Sequence, residues 1–302
     1  MRPGVTGSNL AIKGQWLRIG LGQGANSRSS VMTMHIRIVD AFTDRPFTGN
    51  PAGVVLLDAF PEDTWLQQVA AEVNLSETAF AHPLPAGGSA DWALRWFTPV
   101  AEVDLCGHAT LATAHVLHTT GTASGTVRFA SRSGTLTTEA RPDGSVHMDF
   151  PTAPLTGCDA PTGLAEALGA EPLHVLDTGP GLGDLLVELT DEATVRALAP
   201  DHRALGRHST RGVIATAAAA DRSRGYDYVC RCFFPNLGID EDPVTGSAHT
   251  ALAPFWSARL GRTELTGLQA SPRGGLVGTA LRAGRTVLTG RAVTVIDGEL
   301  KL

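Results

Sequence analysis

Two stretches of this 302-residue chain open in the same way, and that repetition constrains the fold more than any single residue does. Gly107-His108-Ala109-Thr110-Leu111-Ala112 and Gly246-Ser247-Ala248-His249-Thr250-Ala251 each begin a helix on glycine. Each fills its first turns with small residues and follows a stretch of strand and loop. One such start carries little information; two of them about a domain apart point to a duplicated unit. A helix that starts on glycine leaves its first backbone N–H groups bare, and those donors, with the helix dipole, attract a carboxylate or phosphate. Either start alone reads first as ordinary capping, with Thr245 or Ser247 as a plain N-cap. Two together, each beside an ionisable residue, predict an anion site in a cleft between two units.

Around these helices the chain reads mostly as strands. His35 to Asp40 alternates polar and apolar residues, and Phe47 to Gly53 is turn chemistry before an apolar strand from Val54 to Leu57. Pro61-Glu62-Asp63 opens a helix with Leu66, Val69, Ala70 and Val73 at helical spacing and acids in its first turn. Asn74 to Phe80 leaves that helix as an extended segment. Further strands are expected at 94–97, 126–130, 134–140, 145–150, 184–189, 212–217, 226–234, 276–281 and 291–296, with short helices at 166–168 and 193–198. The second small-residue helix carries Ala251, Leu252, Phe255 and Trp256 on one face and ends before Gly261. Pro254 inside it predicts a kink or one irregular turn.

Three ionisable residues lie close to these features. Glu77 follows a helix among apolar neighbours, where burial would raise its pKa into the range of proton transfer; composition alone favours a surface glutamate. His108 stands at a helix start, where the dipole keeps imidazole neutral, and it also has a purely structural reading. Asp242 in Glu241-Asp242-Pro243 is a candidate acid or a turn residue, and Glu241 is a rival one position away. The sequence contains no GxGxxG dinucleotide fingerprint after a strand, no GxxxxGK[ST] loop, no HExxH pair and no GxSxG elbow. Its histidines have no ligand spacing. Hydrolase, kinase and dehydrogenase chemistry therefore finds no support, and neither a metal nor an organic cofactor is expected.

Composition narrows the partners. Apolar residues make up 43% of the chain and charged residues 18%, enough for a sizeable core, and the net charge of −6 excludes the basic stripe that nucleic acid selects. Gly (34) and Pro (18) are frequent, which predicts many turns and a strand-rich fold. No run approaches the roughly 18 apolar residues of a membrane span. Of the four cysteines, Cys230 and Cys232 point the same way from one strand as small hydrophobes, no CxxC pair occurs, and a cytoplasmic home with reduced thiols is expected. Residues 1–33 have no hydrophobic period and no signal-peptide core, so they read as a disordered extension or an upstream start, with the fold beginning near Met34.

Several ordered motifs resemble the phenazine-biosynthesis-like (PhzF-like) family. They are Asp40-Ala41-Phe42-Thr43 through Gly49-Asn50-Pro51-Ala52-Gly53-Val54; Asn74-Leu75-Ser76-Glu77-Thr78-Ala79-Phe80; Arg95-Trp96-Phe97-Thr98-Pro99 with Asp104-Leu105-Cys106-Gly107-His108-Ala109-Thr110; and Phe234-Pro235 with Glu241-Asp242-Pro243-Val244-Thr245-Gly246-Ser247-Ala248. The likeness runs from about Met34 to the C-terminus. It implies an α+β fold of two similar diaminopimelate-epimerase-like domains, each a curved sheet or barrel around a central helix. The expected division is an N-terminal domain over 34–121, completed by a C-terminal strand at 291–302, and a C-terminal domain over 122–290. The resemblance implies a cofactor-independent isomerase acting on a small carboxylate-bearing substrate, cyclohexadiene or amino-acid-like, and assembled as a homodimer. It implies Glu77 as proton shuttle, His108 and Asp242 as polar groups that assist it, and Ser76, Gly107, Gly246 and Ser247 as the residues that line the substrate and bind its carboxylate. Epimerases of the wider superfamily use two opposed cysteines, one at each helix start. Here Cys106 stands near the first, and the second signature has none. The alternatives are an amino-acid epimerase or racemase, or a small-molecule-binding protein that has lost its chemistry.

Overall fold

The computed structural model describes residues 33–301. The expected disordered extension lies outside the described residues, but for Thr33 at the head of the first strand. Strand β1 (Thr33–Ala41) pairs antiparallel with β2 (Asn50–Leu56). Helix α1 (Asp63–Val73) then carries the chain to β3 (Glu77–Pro83), which runs parallel to β2, a pairing that needs such a crossover. The next strand, β4 (Trp92–Phe97), is antiparallel to β3 and is followed by the short β5 (Glu102–Val103). Helix α2 (Gly107–Thr119) crosses to β6 (Thr126–Ser131), parallel to β4, and β7 (Gly134–Ala140) and β8 (Val146–Pro151) follow as antiparallel neighbours.

The remaining chain repeats this plan. After β9 (Thr156–Cys158) and α3 (Leu164–Leu168), β10 (His174–Asp177) pairs antiparallel with β11 (Asp184–Glu188). Helices α4 (Glu192–Ala197) and α5 (His202–Leu205) cross to β12 (Gly212–Ala218), parallel to β11. Then come β13 (Tyr228–Phe234) and β14 (Ile239–Asp242), helix α6 (Gly246–Leu260), and β15 (Glu264–Gln269), parallel to β13. The last strands are β16 (Gly275–Arg282), β17 (Arg285–Gly290) and β18 (Ala292–Lys301). The hydrogen-bonded order is thus 18-1-2-3-4-6-7-8 in one half and 9-10-11-12-13-15-16-17 in the other, with β8 paired to β17 where the halves join. The two halves have the same order and the same parallel crossovers. The fold is α+β, as expected.

Each half wraps its sheet around one small-residue helix. Leu111, Ala112, Val116 and Leu117 of α2 pack with Val54, Trp96, Phe129 and Met148. Ala248, Ala251, Leu252, Phe255 and Trp256 of α6 pack with Ile214, Tyr228, Cys230, Cys232 and Leu265. Both helices are buried along nearly all their faces, which is why they lack a polar stripe. Pro254 does not end α6, which continues to Leu260. Proline removes the donor that would reach the Thr250 carbonyl, and the Ala153 N–H takes that acceptor instead, 3.2 Å away. The turn expected over 47–53 is shorter than the sequence predicted: Asn50 to Gly53 already belong to β2. Strands β15 and β17 were not foreseen at all. Among the described residues no helix is long and apolar enough to cross a membrane.

Candidate active site

The helix starts of α2 and α6 meet where the two halves join. A Cβ placed on Gly107 would lie 3.6 Å from the Gly246 Cα, and one on Gly246 equally close to the Gly107 Cα. Neither helix has a side chain capping its first turn. Thr245 occupies the N-cap position of α6, but its hydroxyl donates to Asp242, so the plain-cap reading fails. Bare donors of both helices therefore converge, a ready site for an anion.

Glu77 is the first residue of β3, and His108 the second of α2. Their Oε2 and Nε2 atoms lie 3.2 Å apart, not aligned as a hydrogen bond, and neither atom has another partner. Burial pushes the Glu77 carboxyl up to about 8, reinforced by the nearby Asp242 charge and opposed by the Cys106 thiol and Arg211. Burial also pushes His108 down to about 3, so the imidazole is neutral. Neutrality was expected from the helix dipole; burial is the cause. Its Nδ1 sits 3.2 Å from the Asn50 amide nitrogen, which can only donate, so the ring proton belongs on Nε2, facing Glu77; the Cys106 sulfur lies 3.5 Å from the same Nδ1.

Asp242 ends β14 and is buried. Its Oδ1 accepts from Asn50 Nδ2 at 2.9 Å and its Oδ2 from the Thr245 hydroxyl. Burial raises it to about 6, against the pull of those two hydrogen bonds and of Arg211. Its rival Glu241 turns the other way and makes a two-pronged pair with Arg231 at 2.7 and 2.8 Å. Ser76 adjoins Glu77 and is half-buried, and Ser247 follows Gly246 at the head of α6.

Sequence reasoning missed three groups here. Asn50 is fully buried and donates to Asp242, to the Val244 carbonyl and towards His108, tying the first half to the second. Gln269 fixes the loop before α6: its Oε1 accepts the Thr245 N–H and its Nε2 donates to the Asp242 carbonyl. Arg211 donates to the Ser247 hydroxyl at 2.9 Å and to Asp184 at 2.9 Å. Asn50 stood in a stretch that reads as a turn, though it immediately precedes Pro51 at the first strand position after a glycine, a hint available in the sequence.

A model of the family described as phenazine biosynthesis-like protein (PhzC-PhzF) matches residues 39–298. The chain belongs to this family. It is 50% identical over 272 residues to an uncharacterized isomerase of Pseudomonas aeruginosa, covering 90% of this chain and 100% of that one. The crystal structure of a PhzF family protein from Enterococcus faecalis superposes with a TM-score of 0.82 at 40% identity, covering 90% and 100% of the two chains. A hydroxyproline epimerase from Agrobacterium vitis shares the fold alone, at 14% identity and a TM-score of 0.55 over 89% of this chain and 93% of its own.

Within this family member, Glu77, Cys106 and His108 place one potential ligand atom each within 4.8 Å of one another, the strongest candidate metal set among the described residues. The chemistry of the set is poor for that purpose. Burial, and then the Glu77 charge, holds the Cys106 thiol well above its usual range, and Glu77 is itself raised, so an ion would have to displace two firmly held protons. A groove of about 480 Å³ elsewhere is lined by Arg45, Arg224, Arg273 and Arg291 but holds none of Glu77, His108 or Asp242. Its Arg273 and Arg291 are engaged by Asp40 and Asp143. The buried carboxyls with raised pKa values, Glu77 and Asp242, lie at the helix junction, not in that groove.

Proposed function

We propose that this chain is an isomerase that moves a proton between carbons of a small carboxylate-bearing substrate, with no metal or organic cofactor. The observation that supports this most strongly is Glu77, a buried carboxyl with a pKa near 8, beside a neutral imidazole whose N–H faces it. Such a group is populated in both protonation states near working pH, as a residue must be if it takes a proton and then returns it. The substrate carboxylate binds to the bare N–H groups of Gly107, Gly246 and Ser247. That contact places the reacting carbons before Glu77. His108 presents Nε2–H beside the Glu77 carboxyl, 3.2 Å away and free to turn onto it or onto the substrate, and Asp242, held by Asn50 and Thr245, offers a second acceptor for a polar group of the substrate.

A two-thiol epimerisation fits less well. The N-cap residue of α2 is Cys106, and the matching N-cap of α6 is Thr245, a hydroxyl already committed to Asp242. One thiol stands without its opposite number, and burial keeps it protonated. The test is a panel of small cyclic carboxylates incubated with the protein in heavy water and followed by NMR. The expected result is a positional isomer whose new C–H carries less than one full solvent deuteron, because a single carboxyl recycles part of the proton it removed. Inversion at the original carbon with complete deuteration of the product alone would contradict it and favour a two-base epimerase.

A further inference from the structure

The duplication makes the two sides of the helix junction comparable element by element. In the first half, Asn50 opens β2, Glu77 opens β3, and His108 is the second residue of α2. In the second half, Asp184 opens β11, Arg211 directly precedes β12, and Ser247 is the second residue of α6. The correspondence is by element and not residue for residue: Glu77 pairs with Ala52, two residues into β2, whereas Asp184 pairs with Gly212, the residue after Arg211. Glu77 faces His108 at 3.2 Å, and Arg211 faces Ser247 at 2.9 Å. Asn50 approaches His108 from the β2 start, and Asp184 holds Arg211 from the β11 start. The second half thus presents a guanidinium from the start of β12, the element that corresponds to β3, which carries Glu77.

We propose that Arg211 is the substrate-orienting residue of this cleft: with Ser247 it holds an anionic group of the substrate, turns the reacting carbons towards Glu77, and makes the site select carboxylates over the corresponding amides. The inference rests on the proton-transfer reading given above. Its geometry is specific. Ser247 Oγ accepts from Arg211 Nη2, so the hydroxyl hydrogen of Ser247 is left to donate to a ligand beside the bare N–H groups of α6. Arg211 is rigidly set: Nη1 donates to the Leu182 carbonyl and to buried Asp184, and the guanidinium lies over the Phe234 ring, 4.8 Å from its centroid. About a quarter of the side chain, 28%, remains exposed, so the cation is reachable. Its field already reaches both carboxyls of the reaction, lowering Glu77 and Asp242 against the effect of burial. A planar, always-charged fork held this way recognises a carboxylate better than a neutral isostere.

The test is calorimetric binding of 2-aminobenzoate and 2-aminobenzamide, a pair of ring probes that differ in the charge of one group. Wild-type protein should bind the acid at least about tenfold tighter than the amide, and Arg211→Gln should weaken the acid by about 30-fold or more while changing the amide by less than about threefold. Because Arg211→Gln leaves Asp184 buried without its cation, the double variant Arg211→Gln/Asp184→Asn is measured alongside; it removes both charges and should show the same loss of preference. If either variant folds and keeps the wild-type preference for the acid, Arg211 does not orient the substrate, while the cleft remains an anion site. If wild-type protein itself shows no preference for the acid, the carboxylate site at the helix junction is wrong and this inference falls with it.

Discussion

Glu77 keeps its proton at neutral pH because it is buried at the head of a central strand, facing an imidazole that burial has also stripped of charge. Its folded pKa of about 8 exceeds the ordinary 4.5, so between those values the folded state binds more protons than the unfolded one. The stabilisation is full below about 4.5 and is lost as pH rises through 8. Glu77→Gln should therefore flatten the fall in urea midpoint between those two pH values; an unchanged slope would mean that Glu77 is hydrated. For the same reason kcat/KM of the free enzyme should rise with pH towards a plateau governed by a pKa near 8, as the base form appears. Asn50 is the counterpart of this poise. Asn50→Ala leaves Asp242 and the Val244 carbonyl short of a buried donor and should cost about 1–3 kcal/mol in chemical denaturation. The roles of Asn50 and Arg211 were not legible in the sequence, because they depend on partners 192 and 36 positions away, Asp242 and Ser247; the local context of Asn50 hinted only that it starts a strand. Glu77 and His108 were legible because each adjoins a helix boundary that local patterning marks.

At the scale of elements, α2 and α6 were readable for a physical reason. A run of small residues after glycine has few other uses than a helix enclosed on all sides, and both helices are enclosed. Leu111 on α2 is completely buried among the strands of the first half, so Leu111→Ala should cost about 2–5 kcal/mol, measured as a fall in unfolding free energy. A loss under about 1 kcal/mol would show that the sheet does not close on the helix there. Strands β15 and β17 escaped sequence analysis because each is six residues long with a glycine in it, at Gly267 or Gly290, which blunts the alternation that marks a strand. Those glycines are demanded by packing. A side chain on Gly267 would run into the Tyr228 ring, and one on Gly290 would meet Phe42 and Leu111 at 2.6 and 2.7 Å. Ala283, at φ 47°, and Gly284, at φ 81°, form the tight turn that joins β17 to the expected strand β16 as a hairpin.

Across the whole molecule, the repeat of strand order around two helices makes the helix junction a meeting of corresponding elements with different chemistry, and a single sequence displays the repeat only where composition is unusual. We propose that the two units divide after Pro151, between β8 and β9, not at residue 121, because β6, β7 and β8 pair onward from β4 and supply Phe129 and Met148 to the core around α2. β18 pairs with β1 from Ala41 against Ala292 to Thr33 against Lys301. Deleting residues 292–302 should therefore strip hydrogen-exchange protection from β1 and β2 while β12 and β13 keep theirs; uniform loss in both halves would mean that they unfold as one. The cleft itself is tested most directly by comparing turnover of Glu77→Gln and Cys106→Ser on one substrate found by the heavy-water screen. Removal of the single acid/base should lower kcat about 10²–10⁴-fold for Glu77→Gln, with binding retained, while Cys106→Ser stays within about tenfold of wild type. A Glu77→Gln protein that still turns over, beside a Cys106→Ser protein that does not, would contradict the carboxylate mechanism and place the thiol at its centre.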